Sequence, residues 1–154
     1  MNVMGDRLLA DGPRGESPAE IRHRTLTELK QTVRHHPAVD IAVGVEAADG
    51  RFRELEVTFD PRILDVDTIQ ANLHIEWRPR PDSSESAYFI FHYYDSTGRD
   101  FGWHREPNPH VDRLEHVQER ESPDAEYEYE TAYFESQSPV DLCWDILGRI
   151  EQRV

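Results

Sequence analysis

The chain reads as an α+β fold, a mainly antiparallel sheet of about five or six strands with an N-terminal and a C-terminal helix packed on it. Three observations lead there. A Ser-Pro-x-acid helix start occurs near each end, at Ser17-Pro18-Ala19-Glu20 and at Ser138-Pro139-Val140-Asp141. Between them apolar residues recur at every second position, the strand period. The strand-like runs follow one another through short turns such as Asp49-Gly50 with no helical crossover, so hairpins set the topology.

Residues 1–16 carry Gly5, Gly12, Pro13 and Gly15 among scattered charges and read as a loose tail, which leaves 17–154 as one domain. In the first helix Ser17 is the N-cap, Pro18 the first helical residue and Glu20 the return partner of a capping box. Leu26, Leu29 and Val33, with Ile21 nearby, form its apolar face, and Pro37 stops it near His35. Val39, Ile41, Val43 and Val45 then alternate as the apolar side of a first strand. After Asp49-Gly50, Arg53, Leu55, Val57 and Phe59 face one way and Glu54, Glu56 and Thr58 the other, and Asp60-Pro61 closes the strand.

Ile69, Ala71, Leu73, Ile75 and Trp77 alternate against Gln70, Asn72, His74 and Glu76, giving a strand with one dry and one wet face, ended by Pro79 and Pro81 and followed by a loop over 82–86. Residues 87–94 are aromatic on both faces and read as a central strand. Residues 95–98 form a turn, and 99–104 return with Phe101 and Trp103 inward. Residues 105–123, rich in Pro, His, Arg and Glu, receive no strand. Over 126–134, Tyr127, Tyr129 and Tyr133 alternate with Glu126, Glu128 and Glu130, the pattern of an edge strand guarded by acids. Val140, Cys143, Trp144, Leu147, Ile150 and Val154 make the stripe of the last helix.

Composition limits what such a domain can do. At 154 residues the chain suits one domain, and no apolar run is long enough to cross a bilayer. The start lacks a basic segment followed by a long apolar one, and the single Cys143 can form no internal disulfide, so the cytoplasm is the expected compartment. The net charge is −14, and Lys30 is the only lysine. Acids with almost no lysine suit a salt-loving cytoplasm, where charge repulsion is screened over about 3 Å. In ordinary salt a chain this acidic binds nucleic acid poorly; in molar salt, binding has to rest on local arginines, stacking and hydrogen bonds.

No phosphate-binding loop, paired CxxC, HExxH or GxSxG occurs. Cys143 sits on the apolar stripe and reads as a core residue. The unusual stretch is 92–116, which holds His92, His104, His110 and His116, four of the eight histidines. Metal-free phosphodiester cleavage needs a base, an acid and a cation, and His104, Arg105, Glu106, His110 and His116 supply these types as candidate catalytic residues. His92, Tyr94, Trp103, Asn108 and Arg113 are candidate substrate contacts, with Trp103 and Tyr94 available for base stacking and Pro107 and Pro109 stiffening the loop. That reading needs no cofactor. A metal site of His104, His110 and His116 with Glu106, Asp112 and Glu115 is the alternative, although the spacing follows no standard zinc pattern. A third reading makes the histidines ordinary polar residues, with His92 a satisfied interior one. Elsewhere, His35 and His36 favour helix-terminal carbonyls, His23 lies on a solvated helix face, His74 lies on a wet strand face outside the site, and Arg78 and Arg80 form a small basic spot.

The run Phe91-His92-Tyr93-Tyr94-Asp95-Ser96-Thr97-Gly98, followed by an aromatic strand and then Asn108-Pro109-His110 and His116, resembles the TumE-type toxins of toxin–antitoxin pairs. Trp103-His104-Arg105 departs from the Tyr-Asp-Asn of that pattern, and His110 and His116 stand singly where the family doubles them. The resemblance implies a small cytoplasmic toxin acting on RNA as a ribonuclease, with a helix-turn-helix antitoxin as partner. The other class of function is a non-enzymatic interaction domain that uses an aromatic patch around Trp77, Trp103 and Tyr133.

Overall fold

The computed structural model describes residues 15–82 and 85–154; the expected tail falls almost wholly, and the loop at 82–86 partly, outside them. The elements are α1 (Pro18–Val33), β1 (Val39–Glu46), β2 (Phe52–Phe59), the single turn α2 (Pro61–Leu64), β3 (Ala71–Arg78), β4 (Tyr88–Asp95), β5 (Asp100–Arg105), β6 (Glu115–Arg120), β7 (Glu128–Thr131) and α3 (Pro139–Arg153). The strands form one antiparallel sheet in chain order from β1 to β7. The α+β expectation holds, with one strand more than expected. Both long helices pack on the same face of the sheet and on each other, and among the described residues no helix packs on the opposite, open face.

Local chemistry explains the frame. In α1 the Ser17 hydroxyl accepts from Glu20 N at 3.1 Å and Glu20 Oε1 accepts from Ser17 N at 3.0 Å, the reciprocal box read from the sequence. Gly50 and Gly98 take positive φ in the β1–β2 and β4–β5 turns, where a side chain would be strained. The core under the helices joins Leu26, Leu29 and Val33 to Leu55, Val57, Phe59, Leu73, Ile75, Phe89, Phe91, Tyr93 and Phe101. Leu142, Cys143, Ile146, Leu147 and Ile150 close it from α3. Burial pushes the Cys143 thiol up to about 12, which fits an inert core residue.

Four strand and helix expectations change. β6 was not expected, because its core-facing side offers only Val117 between Glu115 and Glu119; those acids are neutralised by Arg105 and Arg113, and by Arg99 and Arg153. In β1 a register shift between Val39 and Ile41 turns Ile41 and Val43 to the open face, where they are 53% and 50% exposed, while Ala42 packs on the core. β3 starts at Ala71, and Ile69 is exposed in the loop before it. In α3, Trp144 is exposed; Leu142 and Ile146 take its place in the buried stripe.

Candidate functional site

Alternation along each strand and alignment between strands place one histidine from each of four strands on the open face. His74 on β3 pairs with His92 on β4, and His104 on β5 pairs with His116 on β6. His92 lies opposite Gly102. A Cβ at Gly102 would stand 2.3 Å from His92 Nδ1 and 2.7 Å from the Phe91 carbonyl oxygen. The bare glycine therefore lets the His92 ring lie down across β5 and reach His104.

That contact is the centre of the site. His92 Nδ1 and His104 Nε2 are 3.0 Å apart. The far nitrogens are tied to carboxylates: His92 Nε2 donates to Asp100 Oδ1 at 2.8 Å, and His104 Nδ1 meets Glu106 Oε2 at 2.9 Å. Burial pushes His92 toward its neutral form, against the pull of Asp100. With its one proton on Nε2, His92 offers a bare Nδ1, so His104 donates from Nε2 to His92 and from Nδ1 to Glu106. The hydrogen bond from His104 and the Arg78 guanidinium, 2.6 Å from Glu106 Oε1, hold Glu106 down to about 2. At the other end Arg120 Nε donates to Asp100 Oδ2 at 2.8 Å. The two rings thus share one hydrogen bond, each anchored by its own carboxylate and, through it, an arginine.

His116 completes the row differently. It is fully buried, and its Nδ1 donates to the Leu114 carbonyl at 3.0 Å. Its Nε2 is buried without a hydrogen-bond partner; Gln118 is near enough to favour the charged ring without reaching that atom. Desolvation keeps the ring neutral. The His104 ring centroid is 5.3 Å from its own. His104, Glu106 and His116 each offer a ligand atom within 4.8 Å of the others.

Over the β6–β7 side lie Tyr127, 6.1 Å from the His92 ring, and Tyr129, 6.4 Å from the His116 ring. His110 stacks on Tyr129 at 4.4 Å and 9°. Asn108 shapes the loop that carries it, its Oδ1 accepting from His110 N at 2.8 Å. On the β2–β3 side His74 sits among acids. Its Nδ1 meets Glu56 Oε2, its Nε2 meets Glu76 Oε2 at 2.8 Å, and Glu54 stands 3.9 Å away. Glu76 and Glu56 raise His74 to about 9 despite partial burial. Tyr94 donates to Glu56 Oε1 at 3.0 Å on the same side.

Of the residues singled out from sequence, His92, His104, Glu106 and His116 converge, and His110 and Tyr94 border them. Three do not join. Arg105 neighbours His104 in a strand and so faces the other way; it is 3% exposed, spans Glu115 and lies over the Phe89 ring. Trp103 is core, edge-on to Phe101, and has no free face for a base. Arg113 pairs with Glu115 and covers Tyr133. Trp77 and Trp103 are both buried, so no aromatic patch forms around them and Tyr133. Reading residues one at a time missed His74, Asp100 and Gly102 as members of this face. It also misplaced His23, whose Nδ1 accepts from Phe52 N at 2.9 Å with its ring against Phe52, and His36, which is buried and bound to Glu151 at 2.7 Å. A cross-strand alignment of the outward positions would have found His74.

No family model matches the chain, and no curated protein or solved structure does either.

Proposed function

We propose that this protein is an enzyme working by proton transfer on the open face of its sheet, with His92 as base and His104 as acid. The observation that carries the reading is the 3.0 Å contact between the two rings, with Asp100 and Glu106 anchoring the outer nitrogens. A pair of imidazoles, one placed to accept and the other to donate, meets the needs of phosphodiester cleavage, in which one proton is taken from a hydroxyl and another is given to the leaving oxygen. RNA is the first substrate to try, in keeping with the toxin-like reading. Arg78 and Arg120, on the rim of the site, take the charge-stabilising place first given to Arg105. Glu54, Glu56 and Glu76 share the face, so phosphate approaches only where salt screens them, as in a salt-rich cytoplasm.

The test is cleavage of a fluorogenic RNA in molar KCl by chelator-treated protein. His92→Ala and His104→Ala are each expected to lower turnover by roughly 100- to 10,000-fold. Turnover equal to wild type in both variants removes the catalytic reading.

The interaction reading has one observation of its own: among the described residues β1 is an unpaired edge strand with Ile41 and Val43 exposed on the open face. A protein partner, such as the antitoxin the resemblance implies, would pair there. Charged replacements of Ile41 and Val43 would weaken its co-elution and leave RNA turnover unchanged.

A further inference from the structure

The acid–base pair leaves His116 unexplained. A buried ring nitrogen with no hydrogen-bond partner loses its hydration without compensation. Among the described residues His116 is the only histidine that combines complete burial with an unpartnered ring nitrogen. Its tautomer is set: Nδ1 carries the proton to Leu114, so Nε2 is a bare lone pair. That nitrogen has no hydrogen-bond partner, and His116 offers a ligand atom within 4.8 Å of one on a second imidazole and one on a carboxylate.

We propose that His104, Glu106 and His116 form a binding site for one divalent transition-metal ion. The donor set is two imidazoles and a carboxylate, which suits Zn²⁺ and its neighbours in the first transition row rather than Mg²⁺ or Ca²⁺. The outer atoms of all three are already tethered, as ligands of a built site are. His116 Nδ1 donates to Leu114 O, His104 Nε2 donates to His92 Nδ1, and Glu106 Oε1 accepts from Arg78. The inner atoms are then His116 Nε2, His104 Nδ1 and Glu106 Oε2, of which the last two are 2.9 Å apart. Ligand atoms within 4.8 Å of one another need only a small closure to reach metal–ligand bonds of about 2.0–2.2 Å. The ion takes the place of the proton between His104 and Glu106, and that proton leaves to solvent. Three protein ligands leave at least one coordination position open.

This inference rests on the open face being the working face, and it goes beyond the proton-transfer reading.

The experiment is titration of chelator-treated full-length protein with Zn²⁺ alone by calorimetry, and with Co²⁺ followed by its visible absorption, in molar KCl with millimolar Mg²⁺ to occupy surface carboxylates. One equivalent is expected to bind. His116→Ala and Glu106→Gln should each weaken binding at least tenfold, whereas His74→Ala should leave it unchanged. Glu106 is half-buried and its amide variant keeps the shape, so Glu106→Gln decides the matter if His116→Ala does not fold. Less than a tenth of an equivalent bound by wild type, or full affinity in a folded Glu106→Gln, overturns the site. Stoichiometry is read without turnover, so a silent RNA assay overturns the catalytic reading alone and a missing ion overturns this one alone.

Discussion

Two histidine–carboxylate clusters share the open face of the sheet, and they solve one electrostatic problem in opposite ways. Around His74, carboxylates outnumber imidazoles: Glu56 and Glu76 each accept a hydrogen bond from one ring nitrogen, Glu54 stands behind, and the ring is a cation with no lone pair to offer. Around His104 and His116, imidazoles outnumber carboxylates. Glu106 serves one ring, and His116 keeps an unfilled nitrogen in a place that water does not reach. The first cluster is complete and holds strands β2 and β3 together. The second leaves one acceptor nitrogen without a donor. Counting donors against acceptors therefore separates a stabilising ion cluster from a binding site, where counting histidines and acids does not.

Ways to break this comparison can be ordered by size. Gly102→Ala should have the largest effect on stability, because its Cβ would meet the His92 ring and the Phe91 carbonyl. We expect a loss of about 1–3 kcal/mol in denaturant unfolding, typical of overpacking. The His92–His104 contact should break while the His74 cluster is untouched. An alanine variant as stable as wild type would show that His92 does not need the bare glycine.

His74→Gln sharpens the other side. Because His74 is raised to about 9 from an ordinary value near 6.5, its contribution is fully present below about 6.5 and fades as pH climbs through about 9. Wild type should lose on the order of 1–2 kcal/mol between pH 6.5 and 9.5 that the glutamine variant does not lose. Parallel stability–pH curves for the two proteins would mean that the cluster stores no such energy. Smallest is Ser17→Ala at the far end of the molecule. It removes the α1 cap, should cost about 1 kcal/mol, and should change neither metal uptake nor the pH slope.

Much of this was legible before any coordinates, and the failures share a cause. The capping box, the hairpin turns and the central aromatic strand are local signals, and each appears where the sequence places it. The cluster at His92, His104 and His116 was visible as an excess of one residue type in a short stretch. Face and register were not. Arg105 was grouped with His104 because the two are adjacent, although adjacency in a strand means opposite faces. His74 was set aside because it is distant in sequence, although it is one strand away in space. The bulge in β1 inverted a clean alternation. β6 hid because its acids are balanced by arginines from β5, α3 and the preceding loop, and that balance exists only in the folded chain.

The meander also ties the chemistry to the folding code. Every strand from β3 to β6 lends one histidine to the open face and at least one apolar neighbour of that histidine to the core. A single-residue deletion in the turn at 95–98 would reverse β5, sending His104 and Glu106 under the helices and turning Phe101 and Trp103 out to water. Such a chain would lose its core in the same event that dismantled its site. Proofreading of the histidine row is thus delegated to hydrophobic collapse: a molecule that has folded has already passed inspection for function.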